Sequence, residues 1–251
     1  MTIDICLPAY NEQLILKKNT IKILNYLNNL ENYFNWHIYI VVNGSSDNSV
    51  NIAKEISNKN ARVSFYELKQ GGKGRAIKYL WQKSEADYFI YMDIDLAVSL
   101  ESLPFLVKHL KNGYDLVWGS RHLRKSEVKR NMFRSFSSLA YNVFSKTMLN
   151  HSYSDLQCGF KGINNNIKDS VLPKIEDNNW FFDTELIVWS ENLDYKLKEI
   201  PVNWQEDRYQ ERKSKVKIFK DAKSFMYKTI KLRERLKGYK KIKQEQKQYE
   251  K

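Results

Sequence analysis

The sequence predicts a doubly wound α/β domain over residues 1–215, followed by a basic amphipathic helix and tail over 216–251. Two observations predict the domain. Through the first 120 residues, strand-length apolar runs alternate with amphipathic helical stretches, the spacing of a mostly parallel sheet flanked by helices. Each apolar run also passes into a short polar segment, and ligands of such sheets bind beyond the carboxyl ends of the strands. A third observation predicts the tail. Residues 207–251 hold 17 Lys/Arg against 6 Asp/Glu, so +11 of the net +13 sits there and the body is close to neutral.

Taken in order, the strand-like runs are 3–8, 37–42, 63–67, 88–93 and 115–119, with helical patterns at 12–31, 47–57, 74–83 and 100–111 between them. In the second half, Met132, Phe133, Phe136, Leu139, Ala140, Val143, Phe144 and Thr147 recur at helical spacing and predict an amphipathic helix over 131–149. A short strand at 158–163, a helix starting near Phe182 and a strand ending near Trp204 follow. From Lys215 to Leu236 a further helix carries Val216, Phe219, Ala222, Met226 and Ile230 on one stripe. Past Gly238 the chain is nearly all Lys, Gln, Glu and Tyr, which predicts a frayed or disordered end.

Composition narrows the function classes. With 42% hydrophobic and 14% aromatic residues the chain can bury a sizeable core. Cys6 and Cys158, each within an apolar run, make no disulfide framework and suit a reducing compartment. The first strand begins at the second residue, and no apolar, charge-free window reaches about 18 residues. The expectation is a cytoplasmic protein, peripheral on the cytosolic membrane face. The basic tail suits an anionic membrane surface first and a solvated helix second. No nucleic-acid module accompanies it, so nucleic acid is not expected as a partner.

The chemistry centres on Asp93-Ile94-Asp95, where a hydrophobic strand runs into two acids. Crowding two carboxylates at a strand end is unfavourable through lost solvation and like charge. A divalent cation relieves both, and Mg²⁺ commonly takes one or two protein carboxylates with water and phosphate oxygens. The plainer reading makes Asp95 a cap of the next helix. Similarly, Gly71-Gly72-Lys73 is either a turn into a helix or a place where backbone N–H groups meet a phosphate.

Eight segments together carry a resemblance. They are LPAYNE at 7–12, NGSSDNS at 43–49, GGKGRA at 71–76, YMDIDLA at 91–97, GSR at 119–121, SDLQCGFKG at 154–162, WFFDTEL at 180–186 and IPV at 200–202. In this order they resemble family 2 glycosyltransferases of the GT-A, Rossmann-like fold, nearest the polyprenyl (dolichyl) phosphate hexosyltransferases of the glucosyl type.

The resemblance implies an inverting, metal-dependent hexosyl transfer from a nucleotide-diphosphate sugar, UDP-glucose favoured, to a polyprenyl phosphate or other lipid-linked acceptor. It implies that Pro8, Tyr10, Glu12 and Asn43 line the nucleotide pocket, with Lys73, Arg208, Ser214 and Lys215 near the diphosphate. Asp93 and Asp95 would hold Mg²⁺ or Mn²⁺, with Arg121 near the sugar or acceptor phosphate and Arg134 and Arg130 as acceptor-phosphate ligands. Asp183 is the candidate general base if the acceptor is a hydroxyl, and otherwise a helix cap. Two departures bear on the donor. Val42-Asn43 stands where relatives often carry paired acids, which leaves the base open. Ala97 replaces a glutamine of some mannosyl relatives, which favours glucose. A hydroxyl acceptor on a glycan or cell-wall polymer and an inactive membrane-peripheral scaffold are the alternatives. Recruitment by a separate membrane partner is open.

Overall fold

The structure, a computed structural model, describes residues 1–129, 132–205 and 218–249, apart from the side chains of 132–140, 218–222 and 247–249. Arg130, Arg208, Ser214 and Lys215, and the side chains of Arg134, Val216, Phe219 and Ala222, therefore lie outside the described residues.

The first half follows the expected alternation: β1 (Thr2–Ala9), α1 (Leu16–Asn28), β2 (Asn35–Asn43), α2 (Ser49–Lys59), β3 (Val63–Leu68), α3 (Lys73–Lys83), β4 (Tyr88–Met92), α4 (Leu103–Lys111) and β5 (Leu116–Ser120). Then come β6 (Glu127–Lys129), α5 (Met132–Leu149), β7 (Phe160–Asn164), α6 (Asn165–Ser170), α7 (Phe182–Asn192), β8 (Leu197–Pro201), β9 (Asn203–Gln205) and α8 (Ile218–Tyr249). The main sheet has seven strands in the order β3-β2-β1-β4-β7-β5-β8, parallel except for β7, which runs antiparallel between β4 and β5. β6 and β9 form a small parallel pair.

The sheet is buried on both faces, so its strands read as continuous apolar runs. In β1, Ile3, Ile5 and Leu7 point into a core shared with α1, α2 and α4, while Cys6 points into one shared with α3, α7 and α8. The strand order reverses between β1 and β4. The turns after β1, β2 and β4 thus open onto one crevice.

Three expectations are corrected. In α5, Val143 and Thr147 are exposed, and Asn142, Ser145 and Leu149 are buried instead. The buried polar pair is satisfied, because Asn142 donates to the Ser154 carbonyl and Ser145 bonds His151. In α8, Met226 and Ile230 face out, while Thr229, Leu232 and Leu236 are buried and Phe225 packs edge-on to Tyr141 and Phe181. A stripe read from apolar residues alone picked the outer face, because the inner one includes a threonine whose hydroxyl donates back to the Phe225 carbonyl. The end past Gly238 is helical to Tyr249 rather than disordered. Lys, Glu and Gln are good helix formers, and Tyr239 packs edge-on to Trp189. Among the described residues, no helix is long and apolar enough to cross a membrane.

Candidate active site

The wall of the crevice nearest β1 and β2 is stitched by side chain to backbone bonds. Asn11, in the left-handed region at φ 51°, donates its N–H to the Ser45 hydroxyl oxygen and accepts at its side-chain oxygen from the Ser46 N–H. Ser49 accepts from the Glu12 N–H at 2.9 Å, and Asp47 from that of Gln13. These bonds hold Pro8, Tyr10 and Glu12 in one wall; Tyr10 is 45% exposed, and its ring lies against Gly71.

Asn43, expected beneath the base, spends its amide on the protein. It donates to the Ala9 carbonyl at 2.9 Å and accepts from the Gly72 N–H at 2.8 Å. An aspartate could not donate the first of these. The substitution that left the donor base open is thus a tie between β1, β2 and the glycine turn. Gly44 and Gly72, at φ 60° and 141°, permit this close approach: a Cβ on Gly44 would lie 2.5 Å from the Gly71 nitrogen, and one on Gly72 would lie 2.3 Å from the Asn178 oxygen.

Asp93 and Asp95 follow β4 at the switch point. The Asn19 amide of α1 donates to the Ile94 carbonyl at 2.7 Å, which fixes the backbone between them. Asp95 Oδ1 accepts from the Ala97 N–H at 3.0 Å, and Leu96 turns at φ 53°. Asp95 closes this turn; the next helical segment begins only at Leu100, after Ser99, so the helix-cap reading falls. Asp93 backs onto Gly159, whose Cβ, if present, would stand 1.8 Å from Asp93 Oδ2.

Beneath Asp93 lies a buried ionic cluster. Lys73 Nζ is 2.9 Å from Asp93 Oδ1 and 3.6 Å from Asp183 Oδ2, over the rings of Tyr91 and Trp180. Asp183 Oδ1 in turn holds Lys161 at 2.9 Å and the Tyr91 hydroxyl. Lys161 is fully buried and also donates to the Cys158 carbonyl at 2.6 Å. Burial lowers the Lys73 pKa, but Asp93 and Asp183 outweigh it and hold the ammonium above its usual range. Lost solvation pushes the Asp93 carboxyl up; Lys73 pulls it back and Asp95 adds to the rise.

Asp183 caps nothing. Asp177 opens α7 by accepting from the N–H groups of Asn179, Phe181 and Phe182, so the helix-cap reading of Asp183 is overturned. Arg121, at the end of β5, is bidentate to Asp155 at 2.7 and 2.8 Å and lies over Trp204. Burial opposes both charges of that pair, yet each holds the other ionised, with Asp155 far below the ordinary carboxylate range.

The structure thus brings Lys73, Asp93 and Asp183 together, sets Pro8, Tyr10, Glu12 and Asn43 on the adjoining wall, and ties Arg121 to Asp155. Sequence reasoning missed Asn19, Asp155, Gly159 and Lys161. Among the described residues no group of three or more His, Cys, Asp or Glu could hold a metal. A divalent cation would fit only with one or two carboxylates and oxygens from a ligand. The crowded, pushed-up Asp93 beside Asp95 suits such a site.

A mostly parallel, seven-stranded doubly wound sheet flanked by helices, with an acidic pair at its switch point, is the architecture of the GT-A fold. Solved structures share it: glucosyl-3-phosphoglycerate synthase from Mycobacterium tuberculosis with Mn²⁺ and UDP superposes with a TM-score of 0.64 at 15% identity, covering 92% of this chain and 79% of that one. The sequence profile described as glycosyl transferase family 2 matches residues 4–172, and the chain belongs to that family. Among curated relatives, glycosyltransferase AglD of Haloferax volcanii is 29% identical over 81% of this chain and 33% of its own length. The dolichyl-phosphate beta-glucosyltransferase of Dictyostelium discoideum is 29% identical over 81% and 66%, respectively. The alignments thus span about a third of the first relative and just under two thirds of the second.

Proposed function

We propose that the protein transfers a hexose, with inversion, from a nucleoside-diphosphate sugar of the UDP-glucose type to a polyprenyl phosphate at the cytosolic membrane face. The Asp93/Asp95 pair at the switch point carries this reading, and the names of the dolichyl-phosphate relatives support the acceptor. Residues 1–215 are the catalytic unit.

A bound Mg²⁺ or Mn²⁺, held by Asp93 and Asp95, supplies Lewis-acid stabilisation of the charge left on the departing nucleoside diphosphate. Pro8, Tyr10 and Glu12 line the nucleoside side of the crevice. Asn43 shapes its floor through backbone rather than by meeting the base. Arg121, oriented by its bidentate pair with Asp155, is assigned to the sugar or acceptor-phosphate side of the crevice.

The surroundings of Asp183 favour a phosphate acceptor. Its carboxylate is 1% exposed, and its oxygens face Lys161, Tyr91 and Lys73. A hydroxyl acceptor needs a base within hydrogen-bond reach, whereas a phosphate is already an anion. Asp183 acts here as a positioning residue.

On the membrane side, α8 presents Met226, Tyr227 and Ile230 beside Lys223, Lys231 and Arg233, all exposed. That mixture suits an anionic lipid surface. Arg130 and Arg134 are proposed to meet the acceptor phosphate.

The test uses purified protein, Mn²⁺, UDP-glucose or GDP-mannose, and a polyprenyl phosphate in detergent. Glucosyl-lipid formation from UDP-glucose is expected, abolished in Asp93→Asn and Asp95→Asn. Donor cleavage without lipid product, or transfer only to a sugar hydroxyl, refutes the acceptor.

A further inference from the structure

We propose that Lys73 is the resident counter-cation of the Asp93/Asp95 site, a positioning residue that occupies Asp93 until a nucleoside diphosphate arrives. It makes divalent-cation binding depend on the donor. The inference rests on the metal reading given above and adds to it an order of binding and the residue that imposes it.

The geometry supplies the argument. Asp93 is boxed in on two sides: Oδ2 rests against Gly159, and Oδ1 accepts the Lys73 ammonium at 2.9 Å. A dication taken up by Asp93 would therefore face an ammonium across the same carboxylate. The ammonium is poorly screened, because the Lys73 side chain is only 7% exposed, whereas the Asp93 side chain keeps 34% of its surface open to the crevice.

Lys73 cannot retreat by moving its backbone. Gly72 lies against the Asn178 carbonyl, and a Cβ on Gly74 would stand 2.6 Å from the Phe182 Cβ. The N–H groups of Gly74 and Arg75 donate to the carbonyls of Asn179 and Asn178. Only the side chain can swing, and a second seat is in place. Asp183 Oδ2 stands 3.6 Å from Nζ, while Oδ1 is held by Lys161 and Tyr91.

The Lys73 ammonium thus shuttles between two carboxylates at fixed positions. With the crevice empty it neutralises Asp93 and keeps the two acids from repelling each other. When a diphosphate enters, its negative charge offsets the repulsion between ammonium and dication. Lys73 then leans toward Asp183 and the phosphate oxygens. Dication and nucleotide bind with positive coupling, and coupling between two ligands is reciprocal.

The experiment measures Mn²⁺ binding by electron paramagnetic resonance, with and without saturating UDP, in the wild type and in Lys73→Met. In the wild type, UDP is expected to tighten Mn²⁺ at least tenfold. In Lys73→Met, Mn²⁺ alone binds about tenfold tighter than to the wild type, and UDP tightens it less than threefold further. Unchanged or weaker Mn²⁺ binding to folded Lys73→Met overturns the proposal while leaving the metal reading intact. Wild type that binds no Mn²⁺ even with UDP overturns both.

Should Lys73→Met fail to fold, Asp183→Asn tests the second seat. With no carboxylate to retreat to, Lys73 stays on Asp93, and Mn²⁺ alone is expected to bind more weakly than to the wild type. Equal or tighter binding overturns the shuttle.

Discussion

Gly159 has no side chain, and Asp93 uses the space. Gly159→Ala would push a methyl into the Asp93 carboxylate, where 1.8 Å separates the added carbon from Oδ2. The carboxylate must then shift, and a shift near 1 Å can lower turnover by about a hundredfold. The expected outcome is that loss in kcat with an unchanged circular dichroism spectrum. His151 gives a prediction of another kind. Burial holds its imidazole down at about 4, beside Ser145. The unfolded chain takes up that proton at about 6.5. Between these values the unfolded state binds more protons, so stability is fully present above about 6.5 and is lost as pH falls toward 4. Urea midpoints measured from pH 7.5 to 4.5 should fall for the wild type and fall less steeply for His151→Gln.

At the scale of elements, α8 is a packed part of the domain rather than an appendage. Lys228 pairs with Asp177, and Arg235 with Glu185 and Glu176. Leu232 and Leu236 complete the core under α7. Leu232→Ala should lower unfolding free energy by about 2–4 kcal/mol in chemical denaturation. Gly238 tests the helix beyond the predicted end. A Cβ there meets nothing within 4 Å, so Gly238→Ala should stabilise the protein by up to about 1 kcal/mol, read as a raised Tm. No gain would mean that the helix ends earlier.

These elements also show what the sequence made legible. The strands before Asp93 were plain because a doubly buried sheet writes unbroken apolar runs. Asp93 and Asp95 stood out because acids at the end of such a run need a reason. Lys161 falls within the segment 154–162 that carries the resemblance, but its role was not legible there, and only the fold sets it beside Asp183. Asp155 lies 34 residues from the Arg121 it binds, a pairing that no local pattern reports. The outward stripe of α8 was misread because apolar content alone does not distinguish a face covered by protein from one left open.

For the whole molecule, charge is divided by function. The body of the chain is near neutral, while residues 207–251 hold +11 of the net charge, and Lys223, Lys231, Arg233, Lys237, Lys240 and Lys241 stand exposed on α8. Binding to vesicles with about 30% anionic lipid should therefore weaken steeply between 0.05 and about 0.5 M salt, as the Debye length shortens from ~14 Å to ~4 Å. Cosedimentation reads this directly, and salt-independent binding would point to the apolar residues alone. The segment 176–179 joins the last helix to the start of α3. It takes ion pairs from α8 on one side through Glu176 and Asp177, and on the other accepts the Gly74 and Arg75 N–H groups through Asn179 and Asn178. Those two amides thus close on a segment that the last helix clamps. In deuterated buffer, any change that loosens the end of the chain should speed isotope uptake at the start of α3, far away in sequence, while the amides of β1 and β2 keep their native protection.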